Sequence, residues 1–348
     1  MHMADALISP AVGGTMWAVT GGLIAYSAKK LKEELDERKV PLMGVLGAFI
    51  FSAQMINFSI PGTGSSGHLG GGMILAILLG PYAAFLTIAS VVTVQALFFA
   101  DGGLLALGCN IFNMGFFPCF VAYPFVYRKI VGERATQGRI LAGSIFSAVL
   151  GLQMGAFSVV VETLCSRISE LPFGVFLVLM QPIHLAIGFV EGLVTSAVVS
   201  TVWKARPELV DKAAGSKAIG NLPIKTVLVG LVLVTVLTAG VFSWFASTSP
   251  DGLEWSMRRT SGKEELQIPE STVHTAVEKI QQKTAVFPDY DFKKPDRREE
   301  PGKEPEQTSS VVHVGTSIAG LVGAVLTLVL VGILGVALRR RVNRKSKP

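Results

Sequence analysis

The residues of this chain that could do chemistry are mostly nitrogen donors. Met1-His2 opens the sequence, and a second histidine, His68, follows the glycine- and serine-rich stretch Ser59 to Gly67. The α-amine of Met1 and the backbone amide nitrogen of His2 close a five-membered chelate ring on a metal ion. That amide and His2 Nδ1 close a six-membered ring, so three nitrogens lie in one plane and His68 can fill the fourth corner. A planar all-nitrogen set suits Ni(II) or Cu(II) and is accepted by low-spin Co(II), whereas Zn(II) prefers a tetrahedron and Mg(II) or Ca(II) prefer oxygen. The plainer alternative is a surface histidine near a chain end and a capping or hydrogen-bonded His68. Asp5 either offsets the charge of a bound dication or caps the first helix. Other chemistries lack their motifs. The chain has no GxxxxGK[ST] loop for ATP phosphates, no HExxH and no Gly-x-Ser-x-Gly, so energy from ATP has to come from a partner. Cys109, Cys119 and Cys165 form no CxxC pair and are expected to be packing residues.

The elements that must position these residues are membrane helices. Half of the 348 residues are hydrophobic and only 16% are charged, which excludes an ordinary soluble protein. A hydrocarbon core about 30 Å thick takes roughly 20 residues of helix. Nine apolar runs are expected as spans of an all-α polytopic protein: 8–28, 42–58, 68–80, 82–100, 110–127, 140–163, 173–203, 225–246 and 312–338. Basic residues cluster on alternate connections, five in 29–39, four in 128–139, five in 204–225 and six in 339–347. Those connections are expected to face the cytoplasm, with the N-terminus outside and the C-terminus inside. The first run lacks a basic leader, so the N-terminus is expected to stand as written. The net charge of +6 therefore orients helices and leaves nucleic acid improbable. The third run is too short to cross alone, and residues 59–67 are expected to dip in as a re-entrant loop. Segment 247–310 is expected to be a solvated outer tether with a short helix near 270–283, and its charged, Pro-rich part 293–306 to be disordered until bound. Within the spans, His184 and Glu191 share a helical face and Asn57 and Asn110 lie near the outer side. These four, with Gln54, Gln95, Gln181 and Asn113, are either second-shell and transit residues or interhelical hydrogen bonds. His274 and His313 are expected to be solvated. The Gly14-x3-Ala18-x3-Gly22 face of span one is suited to close helix packing, within the chain or with another subunit.

Several segments carry a resemblance: Met1 to Pro10, Ser66-Gly-His-Leu-Gly-Gly71, Leu79-Gly-Pro-Tyr-Ala-Ala84, Phe99-Ala-Asp-Gly-Gly103 and Gly108-Cys-Asn-Ile-Phe-Asn-Met114. Over about residues 1 to 205 the chain resembles the substrate-binding component of nickel/cobalt energy-coupling-factor transporters, the CbiM/NikM family. The resemblance implies that Ni(II) or Co(II) is held by the Met1 amine, the His2 amide and imidazole, and His68. The commoner family pattern continues Met-His with Ile-Pro-Asp-Gly, and here only Asp5 matches, which leaves nickel versus cobalt open. Ser249-Pro-Asp-Gly-Leu-Glu-Trp255 resembles the small accessory component known as the PDGLE domain. The expected organisation is a metal-binding membrane domain 1–205, a cytoplasmic linker 206–224 and an accessory domain 225–348. The family implies a transmembrane coupling component and ABC-type ATPase subunits as partners, in a prokaryotic cell membrane. A self-sufficient ion-coupled carrier is the competing function, and it would need paired intramembrane carboxylates and repeated halves. A membrane enzyme would need a nucleophile and base pair that the sequence does not offer.

Overall fold

The computed structural model describes residues 2–34, 39–132, 134–169, 171–214, 222–263, 266, 271–292 and 314–345. In chain order these form α1 (Pro10–Glu34), α2 (Lys39–Gln54), a hairpin of β1 (Phe58–Ile60) and β2 (Ser65–Gly67), α3 (Gly72–Leu79), α4 (Pro81–Phe99) and α5 (Leu107–Val131). Then follow α6 (Gln137–Ser166), α7 (Phe173–Ala205), α8 (Pro207–Ala214), α9 (Lys225–Gly240), α10 (Gly252–Ser261), α11 (Thr272–Thr284) and α12 (Val314–Lys345). Among the described residues, five helices are long and apolar enough to cross a membrane: α4, α5, α6, α7 and the Val314–Leu338 part of α12. The apolar helices α2 and α9 have 16 residues each, about 24 Å at 1.5 Å per residue. Helix α1 has 25 residues and a mixed, glycine-bearing composition. The architecture is thus that of an all-α polytopic membrane protein with one small hairpin.

Helices α2, α3 and α4 are buried almost throughout and form the centre. Eight-residue α3 spans about 12 Å and cannot cross alone, as its short apolar run implied. It ends at Gly80, whose φ of 81° breaks the helix just before Pro81 starts α4. On one side α6 and α7 pack against each other through Gly188 and Gly192, where a Cβ would overlap the backbone of Val149 and Ile145. On the other side α9 and α12 pack on α2, and α12 also reaches α4. Pro118 and Pro124 lie inside α5, whose Phe112–Tyr127 stretch has π-helical pairing; a proline without an N–H removes rungs from the ordinary ladder.

Four expectations need correction. Residues 59–67 are a paired antiparallel hairpin, Ser59 opposite Ser66, rather than irregular backbone. Its turn is made by Gly62 and Gly64 with φ of 77° and 73°, and the ladder supplies partners to main-chain groups that an irregular loop would leave unpaired. In segment 242–292 the described residues fold down onto one end of the bundle rather than standing in solvent. It holds two helices rather than one, α10 and α11, the second close to the expected 270–283. His274, expected in water, is 1% exposed. Cys165 is exposed, so only Cys109 and Cys119 pack inside. Residues 293–306 and His313, for which disorder and solvation were expected, lie outside the described residues. The Gly14, Ala18, Gly22 face of α1 is exposed, and nothing lies within 4 Å of a Cβ placed on Gly14 or Gly22, so no described helix of this chain packs there.

Candidate metal site

His2 and His68, sixty-six positions apart, stack with ring centroids 5.1 Å apart and planes 22° from parallel. Each arrives by a different route. His68 sits between β2 and α3, and the next residues are gripped by α7: the Glu191 carboxylate accepts the Gly70 N–H at 2.7 Å and the Gly71 N–H at 3.1 Å. Gly71, with φ of 76°, turns the chain into α3, and a side chain there would collide with Ile50. His68 Nδ1 is 3.0 Å from the Leu69 carbonyl. A carbonyl only accepts, so Nδ1 carries the proton and the lone pair is on Nε2.

His2 is held by the backbone that follows it. Asn110 grips Met3 from both sides, its Oδ1 accepting the Met3 N–H at 2.7 Å and its Nδ2 donating to the Met3 carbonyl at 3.1 Å. The Gly103 N–H donates to the same carbonyl at 2.9 Å. Asp5 caps the start of α5, accepting the Ala106 N–H at 2.9 Å, so the helix it caps is a different one from the helix expected. Gly103 lies so close that a Cβ would overlap the Asp5 carboxylate, which makes glycine the one residue that fits. Burial pushes the Asp5 carboxyl up, against the pull of the backbone amides it accepts. Met1 lies outside the described residues.

Around the His2 ring are Gln95, whose Oε1 is 3.1 Å from Nε2, and Asp101, whose Oδ1 is 3.2 Å from Nδ1. Burial pushes the His2 imidazole down to about 3 and does the same to His68. Burial also pushes the Asp101 carboxyl up. Both rings are therefore neutral near pH 7, the form that binds a metal ion. The Tyr290 hydroxyl donates to Asp101 Oδ2. Among the described residues no three His, Cys, Asp or Glu side chains converge as a ligand set. That is compatible with a site that draws half of its donors from main-chain nitrogen.

The segment after α9 supplies the roof. The Ser66 N–H donates to the Pro250 carbonyl at 2.8 Å, the Ser66 hydroxyl to the Ser249 carbonyl at 2.7 Å, and Trp255 Nε1 to the Thr63 carbonyl at 3.0 Å. The Pro-Asp-Gly-Leu-Glu run thus lies along the hairpin that carries His68. Asp251 starts α10 with a capping box shared with Glu254, and Gly252 fits against Ile183 and His184, where a Cβ would clash. Further on, His274 accepts from the Ser271 hydroxyl at Nδ1 (2.6 Å) and donates from Nε2 to the carbonyls of Ile8 (3.0 Å) and Asp5 (3.3 Å). Gln281 Nε2 donates to the Gly102 and Ala96 carbonyls at 2.7 and 2.9 Å. Between roof and bundle is a cavity of about 500 Å³ lined by His2, His68 and the acids Asp5, Asp101, Asp251, Glu254, Glu278 and Asp289.

Of the sequence candidates, His2, His68, Asp5 and Asn110 are brought together, and Asn57 lines the same cavity. Glu191 acts one step removed, on the loop after His68. His184 lies below, its Nδ1 donating to the Met180 carbonyl at 2.8 Å and its Nε2 without a partner, beside a small cavity that His68 also lines. Asp101, Tyr290, His274 and Gln281 were not among the candidates. Asp101 had a signal, an acid in Ala-Asp-Gly-Gly between apolar runs; the other three lie in a segment whose composition gave no sign of docking.

Residues 2–209 match the family described as the cobalt uptake substrate-specific transmembrane region, CbiM, and residues 225–340 match the PDGLE domain. A chain of Archaeoglobus fulgidus named as a fused nickel transport protein, NikMN, is 33% identical over 330 residues, covering 95% of this chain and 96% of that one. The fused nickel transport protein NikMN of Rhodobacter capsulatus is 31% identical over 221 residues, 60% of this chain and 63% of that one. The solved structure of a truncated transition metal transporter is similar over 59% of this chain and 99% of its own, at 31% identity and a TM-score of 0.52. By the extent of these matches the chain belongs to the CbiM family of membrane transport proteins, with a PDGLE domain joined to its C-terminal side.

Proposed function

We propose that this chain is the metal-capture component of an ATP-driven energy-coupling-factor importer for Ni(II) or Co(II). The ion is held at the outer face by the Met1 amine, the His2 amide nitrogen and Nδ1, and His68 Nε2. The observation that carries this reading is the stacking of His2 on His68, both neutral and each with a partner that fixes its ring, Gln95 for His2 and the Leu69 carbonyl for His68. The acid-lined cavity above them suits the entry of a cation, since six carboxyl groups face it with no lysine or arginine in its lining. Fused nickel transport proteins among the relatives support the choice of metal.

ATP hydrolysis falls to partner subunits, and the membrane coupling component needs a helix face to dock on. The competing ion-coupled carrier needs a mobile carboxylate in the bundle. Glu191 is occupied by two main-chain amides, and Glu162 accepts from Asn113 Nδ2 at 2.7 Å and from the Ser158 hydroxyl at 3.3 Å, so both acids hold structure. The test is nickel and cobalt uptake by cells making this chain with and without the coupling and ATPase subunits. Uptake should require the partners and ATP; equal uptake by the chain alone contradicts the reading.

A further inference from the structure

A hydrogen-bond chain leads from the bundle to the His2 ring, and its polarity is fixed from the far end. The Gly70 carbonyl can only accept, so the Gln54 atom 2.8 Å away is Nε2, the donor. Gln54 Oε1 then faces outward and accepts from Gln95 Nε2 at 2.8 Å. Gln95 must therefore present Oε1 to His2 Nε2 at 3.1 Å, and the ring has to supply an N–H there. A neutral imidazole has one N–H, so the lone pair falls on Nδ1, the atom that can close a six-membered ring with the His2 amide. Reversing Gln95 would set its Oε1 against Gln54 Oε1, and reversing Gln54 would leave the Gly70 carbonyl facing an oxygen. Gln54 is 5% exposed and Gln95 fully buried, so water is poorly placed to repair such a mismatch.

The other edge of the ring pulls the opposite way when Asp101 is ionised: a carboxylate only accepts, so Oδ1 at 3.2 Å from Nδ1 favours a proton on that atom, and only a protonated Asp101 donates to it. The glutamine chain is what counters that pull at Nε2. The far end of the relay is itself anchored, because Glu191 holds the Gly70 N–H while Gln54 takes its carbonyl. One residue, Gly70, two positions from His68, thus serves both histidines.

We propose that Gln54 and Gln95 are positioning residues that fix His2 as the Nε2–H tautomer and so keep Nδ1 available to the metal ion. The inference rests on the reading of His2 as a ligand. A mere packing role for the two glutamines would leave the tautomer indifferent to them, which is where the two accounts part. Outer-shell partners that set a ligand's tautomer typically change metal affinity about 10- to 100-fold when lost.

The test uses the full-length chain, metal-free and with 15N-labelled histidine, and reads the His2 tautomer from long-range proton–nitrogen correlations. His2 in the unsubstituted protein should be Nε2–H. Gln95→Leu and Gln54→Leu should give mixed tautomers. Titration with NiCl2 should show about tenfold weaker binding in the two leucine variants. An Nδ1–H ring in the unsubstituted protein, or an unchanged tautomer in Gln95→Leu, overturns the proposal even if the variants fold poorly. Unchanged nickel affinity in His2→Ala instead overturns the ligand reading, and the two failures are told apart because the tautomer is read without metal.

Discussion

The floor and the roof of the cavity are built differently. The floor, from residues before 205, is a closed network: Glu191, Gly70, Gln54, Gln95 and His2 are joined end to end, and Asn110 and Asp5 fix the backbone between His2 and α5. The roof, the described residues of 242–292, meets the floor at three separate places: the hairpin at Thr63 and Ser66, the chain start at Asp5 and Ile8, and the end of α4 and the loop after it at Ala96, Phe98, Asp101 and Gly102. A buried network with every member paired tolerates little motion, whereas a cover held by separate bonds can come away one bond at a time. On the function proposed above, the floor holds the ion and the roof controls its access.

The strongest way to break that division is to remove a ligand from the floor. His2→Ala should lower nickel affinity beyond the roughly 100-fold reached by losses outside the ligand shell, and His68→Ala should weaken it strongly. Both proteins should keep their thermal transition in detergent, because each ring lines a cavity rather than filling the core. Isothermal titration with NiCl2 and a melting curve on the same samples decide this. Next comes Glu191→Gln, which replaces a carboxylate accepting two main-chain N–H groups by an amide with one acceptor. A buried N–H left without a partner costs about 1–3 kcal/mol, so the variant should melt lower and bind nickel about tenfold more weakly.

Deleting residues 224–348 sharpens the comparison from the other side. The floor has its own network, so static nickel binding should stay within about tenfold, while ATP-dependent uptake by the assembled importer is impaired. Full transport by the shortened chain would remove the role given to the roof. The smallest effect concerns pH. Binding releases protons from the Met1 amine and the His2 amide, so affinity should rise with pH, bending through the ordinary amine range of about 7.7–8.0. Burial keeps both imidazoles neutral down to about pH 3, so no second bend is expected near the ordinary histidine value. A break near pH 6.5 in nickel affinity would show that a ring is titrating and that the site is wetter than described.

The floor was legible in the sequence in its residue types: His2 and His68, singled out as nitrogen donors, are the two rings that stack. The third run was too short to cross alone, as α3 is. Partner identities were not legible. Asp5 was read either as offsetting the charge of a bound ion or as a cap for the first helix, and packing sets it against Ala106, because Gly103 lets the two stretches of chain approach. The re-entrant loop became a hairpin since Ser59 and Ser66 pair across two glycines, a pattern too short for a periodicity argument. The tether was misjudged for a related reason. Its mixed charge resembles solvated chain, and what docks it are main-chain carbonyls of the bundle, which have no signature in sequence.

The central claim is that the metal ion is chelated through the Met1 amine in register with the His2 ring, and blocking that amine tests it most directly. Acetylation turns the Met1 amine into an amide and, unlike an added residue, brings no new free amine within chelating range of His2. The helical bundle, which begins at Pro10 in α1, is left untouched. Nickel binding, measured by titration and by metal content after purification, should collapse in the acetylated protein while its thermal transition stays in place. If the acetylated protein binds Ni(II) or Co(II) as tightly as the original, the chelate assignment is wrong.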